Sequence, residues 1–276
     1  MDPDDRKLAK AHADLQRTAA GLDLPRVILL RKMASAMTTP TVKQIAEDSD
    51  LATHNFEVAF SNQLLIHHAT SDEPLKKKSF EYLLRDAFDA DGRRAEIDSQ
   101  TKSWDVKADD ERYSLKTEAE SNMPPESIRI QKFMDATWVR ECDDATGYAG
   151  KAAVAFPAHI AHYDRILVLR VFRTPGVDVY RYQLVEVPKP ILELLGRLDP
   201  SSIVRTRGNN ENRGYGANVV FTPPGGIPVR AFRVLFDRSV GKVRIHAIRK
   251  DLCKIHGEWT IPLRASSLDN NSIWLP

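Results

Sequence analysis

The sequence predicts an α/β fold in which a mixed central sheet is flanked by helices, with a small N-terminal helical region. Apolar residues recur at helical spacing from Leu8 to about residue 75. After Trp104 the pattern changes to the alternation of period two that is typical of strands. Beyond about residue 150, most apolar runs are short and bounded by turn residues, so this part is expected to be mainly β.

The composition is that of a folded soluble protein, because 42% of the 276 residues are hydrophobic and 28% are charged. No apolar run approaches the roughly 18 residues that a membrane span needs. The acidic start, Met1-Asp2-Pro3-Asp4-Asp5-Arg6, is not typical of a secretory signal, and we expect a cytoplasmic protein. Since the net charge is only +2, a nucleic-acid partner would require cations concentrated on one face.

Several kinds of site are excluded by missing motifs. Cys142 and Cys253 belong to no CxxC pair, which excludes a zinc site built on thiolates and suits a reducing compartment. No P-loop, dinucleotide fingerprint or GxSxG elbow occurs, so we expect no nucleotide cofactor and no serine hydrolase. His159 and His162 have neither an HExxH motif nor an acidic partner, and a structural role is the favoured interpretation.

Residues 1–75 are predicted to form a helical region, separate from a domain at residues 76–276. Within it, a helix from Val42 to Asp48, a turn and a helix from Ala52 to Ile66 resemble a helix-turn-helix. The second helix carries no Lys or Arg, which a DNA-reading helix usually has. A helical packing or dimerisation module is therefore the favoured interpretation, and a helix-turn-helix is the alternative.

The next elements are a helix and a hairpin. Ser79 to Phe88 has one apolar stripe, and Glu81 stands off that stripe. Trp104 to Lys107 and Arg112 to Thr117 are predicted as paired strands around a polar turn. A helix is expected from Ser127 to Trp138.

Two more hairpins and a short helix complete the prediction. The strands are Ile166 to Phe172 with Tyr180 to Val187, and Val229 to Asp237 with Lys242 to Arg249; Pro190 to Leu198 is the helix.

The hairpin brings together groups that could hydrolyse a phosphodiester. Asp105 and Lys116 lie on neighbouring strands, and Ser114 shares a face with Lys116 because positions two apart point the same way. The carboxylates of Asp105 and Glu81, with a main-chain carbonyl near Leu115, would offer Mg²⁺ the oxygen ligands it prefers. Lys116 could then orient a metal-activated water and stabilise charge on the phosphate. An ordinary solvated hairpin is the alternative.

At this point the segment resembles the PD-(D/E)xK nuclease superfamily, and within it the type II restriction endonucleases. The match consists of Asp105, eight intervening residues and Ser114-Leu115-Lys116, preceded by a helix with Glu81. It covers about residues 79–142 and extends more loosely to 187. The resemblance implies metal binding at Asp105 and at the position of Ser114, catalysis by Lys116, and Glu81 as the helix acid.

The sequence departs from the family at Ser114, where an acid is usual. A hydroxyl is a poor metal ligand beside a carboxylate, so an acid from elsewhere is expected to take its place. The candidates from the following segment are Glu118, Glu120, Glu126 and Glu141.

DNA contacts are predicted in a loop rich in Gly, Asn and Arg. Arginine pairs with guanine and asparagine with adenine in the major groove, which is the basis of the prediction. The candidates are Arg205, Arg207, Asn209, Asn210, Asn212 and Arg213. The run Lys76 to Lys78 could meet phosphates. For each, a solvated surface segment is the alternative.

The sequence therefore predicts a type II restriction endonuclease that cleaves double-stranded DNA with Mg²⁺. A homodimer is expected, because twofold protein symmetry matches a palindromic site. A repair or junction-resolving nuclease of the same superfamily is one alternative. A non-catalytic helix-turn-helix regulator is another.

Overall fold

The fold was analysed in a computed structural model that describes residues 2–98, 104–120, 122–173, 176–206 and 214–263. The α-helices are α1 (Pro3–Ala20), α2 (Leu24–Met37), α3 (His54–Thr70), α4 (Lys77–Ala90), α5 (Ala145–Ile160) and α6 (Lys189–Glu193). The strands are β1 (Val42–Ile45), β2 (Ala95–Ile97), β3 (Val106–Ala108), β4 (Glu111–Glu118), β5 (Ser127–Asp135), β6 (Arg165–Arg173), β7 (Val179–Glu186), β8 (Val204–Arg205), β9 (Tyr215–Phe221), β10 (Val229–Asp237), β11 (Lys242–Arg249) and β12 (Lys254–Pro262). None of the described helices is both long and apolar enough to cross a bilayer.

The strands form two sheets. The first sheet has seven strands in the order β1-β12-β7-β6-β4-β3-β2, and the second has five in the order β5-β11-β10-β9-β8. In the first sheet β4 and β6 are parallel, whereas the other neighbours are antiparallel. The predicted mixed α/β architecture is therefore confirmed.

The first sheet separates two hydrophobic cores. Leu115 and Leu169 pack in one core with α3 and α4 residues such as Phe60 and Phe88. The other core joins the opposite side of the sheet, including Val168, to α5 and to the buried face of the second sheet. Because side chains alternate along a strand, β4 presents Ser114 and Lys116 toward this second side.

The helix-turn-helix prediction is wrong, because the segment predicted as its first helix is strand β1. Val42–Ile45 pairs antiparallel with β12 at the edge of the first sheet, with Val42 opposite Thr260. The β-branched Val42 and Ile45 suit a strand, and the open edge of β12 supplies the backbone partners. The boundary at residue 75 stays a prediction; one core contains residues from both sides of it.

The predicted helix from Ser127 to Trp138 is also wrong. Residues Ser127–Asp135 form strand β5, which pairs with β11, and a 3₁₀-helix follows at Thr137–Arg140. Ile128 and Ile130 are both buried, so the alternation in Ser-Ile-Arg-Ile-Gln decides the structure. The helical spacing of later apolar residues was the misleading signal. The predicted helix from Ser79 to Phe88 lies within α4, and the one from Pro190 to Leu198 is α6 followed by a 3₁₀-helix. The three predicted hairpins are confirmed.

Candidate active site

Asp105 is fixed at the point where β3 and β4 diverge. Its main-chain N–H donates to the Tyr113 carbonyl at 2.8 Å. One step further, its side-chain Oδ2 accepts from the Leu115 N–H at 2.6 Å. The carboxylate thus takes the place of a strand partner for β4, which holds it beside Ser114 and Lys116.

Lys116 lies on the same side of the hairpin as Asp105 and is partly buried. Burial lowers the pKa of Lys116 to about 8, although attraction to Asp105 opposes this change. Among the described residues, Lys116 has no carboxylate within ion-pair distance. Its amine can therefore change protonation near neutral pH.

The first turns of α4 bring Glu81 to this site. Phe80 and Leu84 are buried in the core, which orients the helix. Glu81 stands off the apolar stripe, as predicted, yet its side chain is only 9% exposed. Lys78 Nζ pairs with Glu81 Oε2 at 2.7 Å.

Lys77 connects Glu81 with the hairpin. Its Nζ lies 2.8 Å from Asp105 Oδ1 and 4.0 Å from Glu81 Oε1. The Asp105 side chain is 19% exposed, whereas that of Lys77 is 44% exposed. The Lys77 ammonium therefore lies between two largely buried carboxylates. Because the Lys77 side chain is partly exposed, it has room to move toward solvent.

This arrangement fits a hard divalent cation. The two carboxylates already share one positive charge, and Mg²⁺ is commonly held by one or two protein carboxylates together with waters and phosphate oxygens. Across the described ranges, no group of three or more His, Cys, Asp and Glu side chains is placed to share a metal ion. Of the described residues, Asp105 and Glu81 are therefore the carboxylates that could bind a divalent cation at this place.

Ser114 is buried on β4, at 5% exposure, and three of the four acids expected to replace it form ion pairs elsewhere. Glu118 pairs with the fully buried Arg170 at 2.8 Å. Glu120 pairs with Arg129, and the exposed Glu141 pairs with Lys151. The main-chain carbonyl of the exposed Glu126 accepts from Lys250.

Arg170 connects Glu118, at the end of β4, with the residues at and just before the start of β5. Its guanidinium donates to the carbonyls of Pro124, Pro125 and Ser127, besides its contact with Glu118. Glu118 in turn accepts from the Arg129 N–H at 3.0 Å. The two strands are thereby joined beside Lys116.

Several residues near the site were not assigned to it from sequence. Lys132 and Asp135 on β5 and His159 on α5 interact electrostatically with Lys116. Burial lowers the pKa of His159 to about 4, so its ring is neutral. Lys77 belongs to the lysine run before Glu81, which the sequence analysis assigned only to phosphate contacts. His159 entered the sequence analysis only as a structural histidine. Nothing in the pattern placed Lys132 or Asp135 beside Lys116, because the segment that carries them was predicted as a helix.

The predicted DNA loop is largely outside the described residues. Arg207, Asn209, Asn210, Asn212 and Arg213 all fall there. Arg205, on β8, donates from Nε to the Tyr215 hydroxyl at 3.0 Å and lines a cavity of the second sheet. The structure therefore places Arg205 in the second sheet, whereas Asp105 and Lys116 belong to the hairpin of the first.

Comparisons with known proteins agree with this chemistry. Residues 15–261 match the family model "SmaI: Type II site-specific deoxyribonuclease". The chain is 27% identical over 216 residues to the type II restriction enzyme SmaI of Serratia marcescens. The aligned region covers 76% of this chain and 81% of the relative. No solved structure matches the chain.

Proposed function

The chain belongs to the SmaI family of type II site-specific deoxyribonucleases, and from that premise we propose that Asp105, Glu81 and Lys116 carry its phosphodiester hydrolysis. It is a type II restriction endonuclease. The substrate that this activity implies is double-stranded DNA. The family match favours restriction over the alternative of a repair or junction-resolving nuclease.

One observation carries the assignment of residues. The Leu115 N–H holds Asp105 Oδ2 where β3 and β4 diverge. The other oxygen, Oδ1, contacts the Lys77 ammonium, which also lies near Glu81. A cation site is thus formed beside a lysine that has no ion-pair partner of its own among the described residues. The resemblance to PD-(D/E)xK nucleases implies Asp105, the position of Ser114, Lys116 and the helix acid Glu81; we propose that Glu81 also takes over the role of the acid that is missing at Ser114.

Mg²⁺ is the proposed cofactor, and it would be held by Asp105 Oδ1, Glu81 and the Leu115 carbonyl. When bound, it would polarise a phosphate oxygen and lower the pKa of a water molecule. Asp105 Oδ2 remains bound to the Leu115 N–H, which orients the other oxygen outward. Lys77 would release Asp105 and become available to a DNA phosphate.

We propose that Lys116 acts in its protonated, positively charged form. With a pKa of about 8, it is mainly charged at pH 7. A charged Lys116 donates hydrogen bonds to the attacked phosphate and stabilises the negative charge that develops there. It also orients the attacking water, whose oxygen forms the new bond to phosphorus and whose proton passes to solvent. The bond to the leaving sugar oxygen breaks in the same step, and that oxygen takes up a proton from solvent.

A homodimer is the proposed assembly. The outer helices α1 and α2 bury almost no side chains, and α1 buries none. They expose apolar residues that would be protected by a second copy: Leu8, Leu15, Leu24, Val27, Ile28 and Leu29. Such a dimer would match the twofold symmetry of a palindromic site.

The function is tested by incubating the protein with plasmid DNA of known sequence and Mg²⁺. Discrete fragments are expected, and chelation by EDTA should prevent them. Lys116→Ala should abolish cleavage and leave DNA binding largely intact. Lys151→Ala, on the exposed side of α5, is the matched control and should cleave normally. Undiminished cleavage by Lys116→Ala would remove Lys116 from catalysis.

The dimer is tested separately by light scattering during gel filtration. A mass twice that of the 31.1 kDa chain is expected. Leu24→Glu/Leu29→Glu should produce the monomer. A monomeric wild-type protein, free and on DNA, would refute the assembly.

A further inference from the structure

The second sheet has one buried face and one cationic face. Phe232, Val234 and Ile245 are buried in the core. The opposite positions of β10 expose Arg230 and Arg233 to solvent. We call this outward side the cationic face, and it consists of the outward side chains of β5, β11, β10 and β9 with Arg205 on β8.

The polar side chains of this face form a row across the strands. Arg233 lies directly opposite His246 on β11 and Asn218 on β9. Arg129 on β5 and Arg244 on β11 interact electrostatically with His246, and burial is the main cause that lowers the pKa of His246 to about 4. Neutral His246 and Asn218 therefore separate positive charges rather than compensate them.

The charges of the face are only partly compensated. Arg129 pairs with Glu120, and Arg244 Nη2 pairs with Asp237 at 2.6 Å. Within the described part of the chain, Arg230 and Arg233 have no carboxylate within ion-pair distance. The Arg244 Nε and His246 Nε2 atoms are buried without a hydrogen-bond partner. The face therefore has an unused guanidinium N–H on Arg244, as well as positive charge that no described carboxylate balances.

Two cavities on this face meet at Arg233. One is lined by Arg205, Arg233 and Arg244, and the other by Arg129, Arg230, Arg233 and His246. The second cavity also reaches Glu118 on β4. Because Glu118 is two positions from Lys116 on the same side of β4, the cationic face continues to the edge of the candidate active site.

Local irregularities shape the same end of the sheet. The pairing of β10 shifts register between Arg230 and Phe232, and that of β11 with β5 shifts between Ile245 and Ile248. Ala247 has a positive φ of 53° within the second irregularity, although it is not a glycine. Bulges bend a strand and redirect its side chains, and here they flank Arg230 and His246.

We propose that the cationic face is a docking surface for the DNA duplex, with Arg230 and Arg233 binding backbone phosphates. This inference rests on the proposed double-stranded DNA substrate and goes beyond the hairpin residues and the 205–213 loop. A duplex suits the face because phosphates would satisfy unpaired guanidinium groups. A second copy does not, since a twofold contact would place this cationic face against itself.

The test measures binding separately from cleavage. The affinity of a fluorescent 30-base-pair duplex of arbitrary sequence is measured by anisotropy in Ca²⁺ at several salt concentrations. Arg230→Gln/Arg233→Gln is compared with Lys151→Gln/Arg197→Gln, which removes two exposed charges from α5 and the segment after α6. Melting temperatures establish that both variants fold.

Each phosphate contact contributes about 1 to the slope of log K against log salt. Arg230→Gln/Arg233→Gln should therefore lower that slope by about 2 and weaken binding at least about tenfold, whereas the control pair should leave both nearly unchanged. An unchanged slope, or equal losses in both variants, would refute the proposal. Because cleavage is not measured, failure of the catalytic assignment would leave this result interpretable.

Discussion

Lys77→Met tests whether the Lys77 ammonium occupies the cation position of the site. In the structure it contacts Asp105 Oδ1 at 2.8 Å and lies 4.0 Å from Glu81 Oε1. A divalent ion that binds both carboxylates must displace it. The substitution removes the competing charge and retains an apolar stem of similar length, so it should increase metal affinity.

The expected magnitude follows from the exposure of the pair. Lys77 is 44% exposed, so solvent screens its attraction to Asp105, and such pairs contribute about 0.5–1 kcal/mol. Removing that competition should tighten metal binding by about two- to fivefold. Isothermal titration with Mn²⁺, an analogue that also prefers oxygen ligands, measures this without DNA.

The neighbouring lysine provides the control. Lys76 pairs with Glu73 at 2.6 Å and does not contact Asp105. Lys76→Met should leave Mn²⁺ affinity unchanged, and Asp105→Asn should nearly abolish binding. Equal or weaker affinity in Lys77→Met, with normal folding, would show that Lys77 does not compete for the site.

Three further outcomes are expected. Glu81→Gln should weaken Mn²⁺ binding at least about tenfold, because it removes a metal-binding carboxylate. The control Glu57→Gln, on α3, should leave the Mn²⁺ affinity unchanged. Equal Mn²⁺ affinity of Glu81→Gln and the wild type would exclude Glu81 as a ligand. Arg170→Met should lower the free energy of unfolding in urea by about 3–5 kcal/mol, because it leaves Glu118 buried without its partner. Arg170→Met/Glu118→Leu should recover part of that loss. A double variant as unstable as the single variant would contradict this explanation. Burial lowers the pKa of His68 from 6.5 to about 4, so its contribution to stability is complete above pH 6.5 and should fall toward pH 4 by up to about 1.4 kcal/mol per pH unit. His68→Gln should flatten that dependence in urea titrations, and an unchanged slope would refute it.

The hairpin that carries Asp105 and Lys116 was predictable from sequence because its determinants are local. The alternation from Arg112 to Thr117 specifies which side chains share a face, and the polar turn sets how Asp105 returns beside Ser114 and Lys116. The amphipathic pattern of α4 placed Glu81 off the buried stripe. The depth to which Glu81 is buried was not predictable, because it depends on the packing of α4 against the hairpin.

The two wrong helices have one physical cause. Val42–Ile45 and Ser127–Asp135 are strands because β12 and β11 offer backbone partners to them. Those partners lie more than one hundred residues away in the sequence. Local propensity is weak compared with the hydrogen bonds and burial that such pairing supplies.

The sequence alone determined the hairpin that holds Asp105 and Lys116, since strand alternation and turn chemistry act over a few residues. Tertiary structure alone decided that Lys77 lies between two carboxylates and that Lys132, Asp135 and His159 interact electrostatically with Lys116. It also decided that Arg230 and Arg233 share one face of the second sheet. Electrostatic neighbours depend on distance in space, which sequence spacing does not specify for segments joined only by folding.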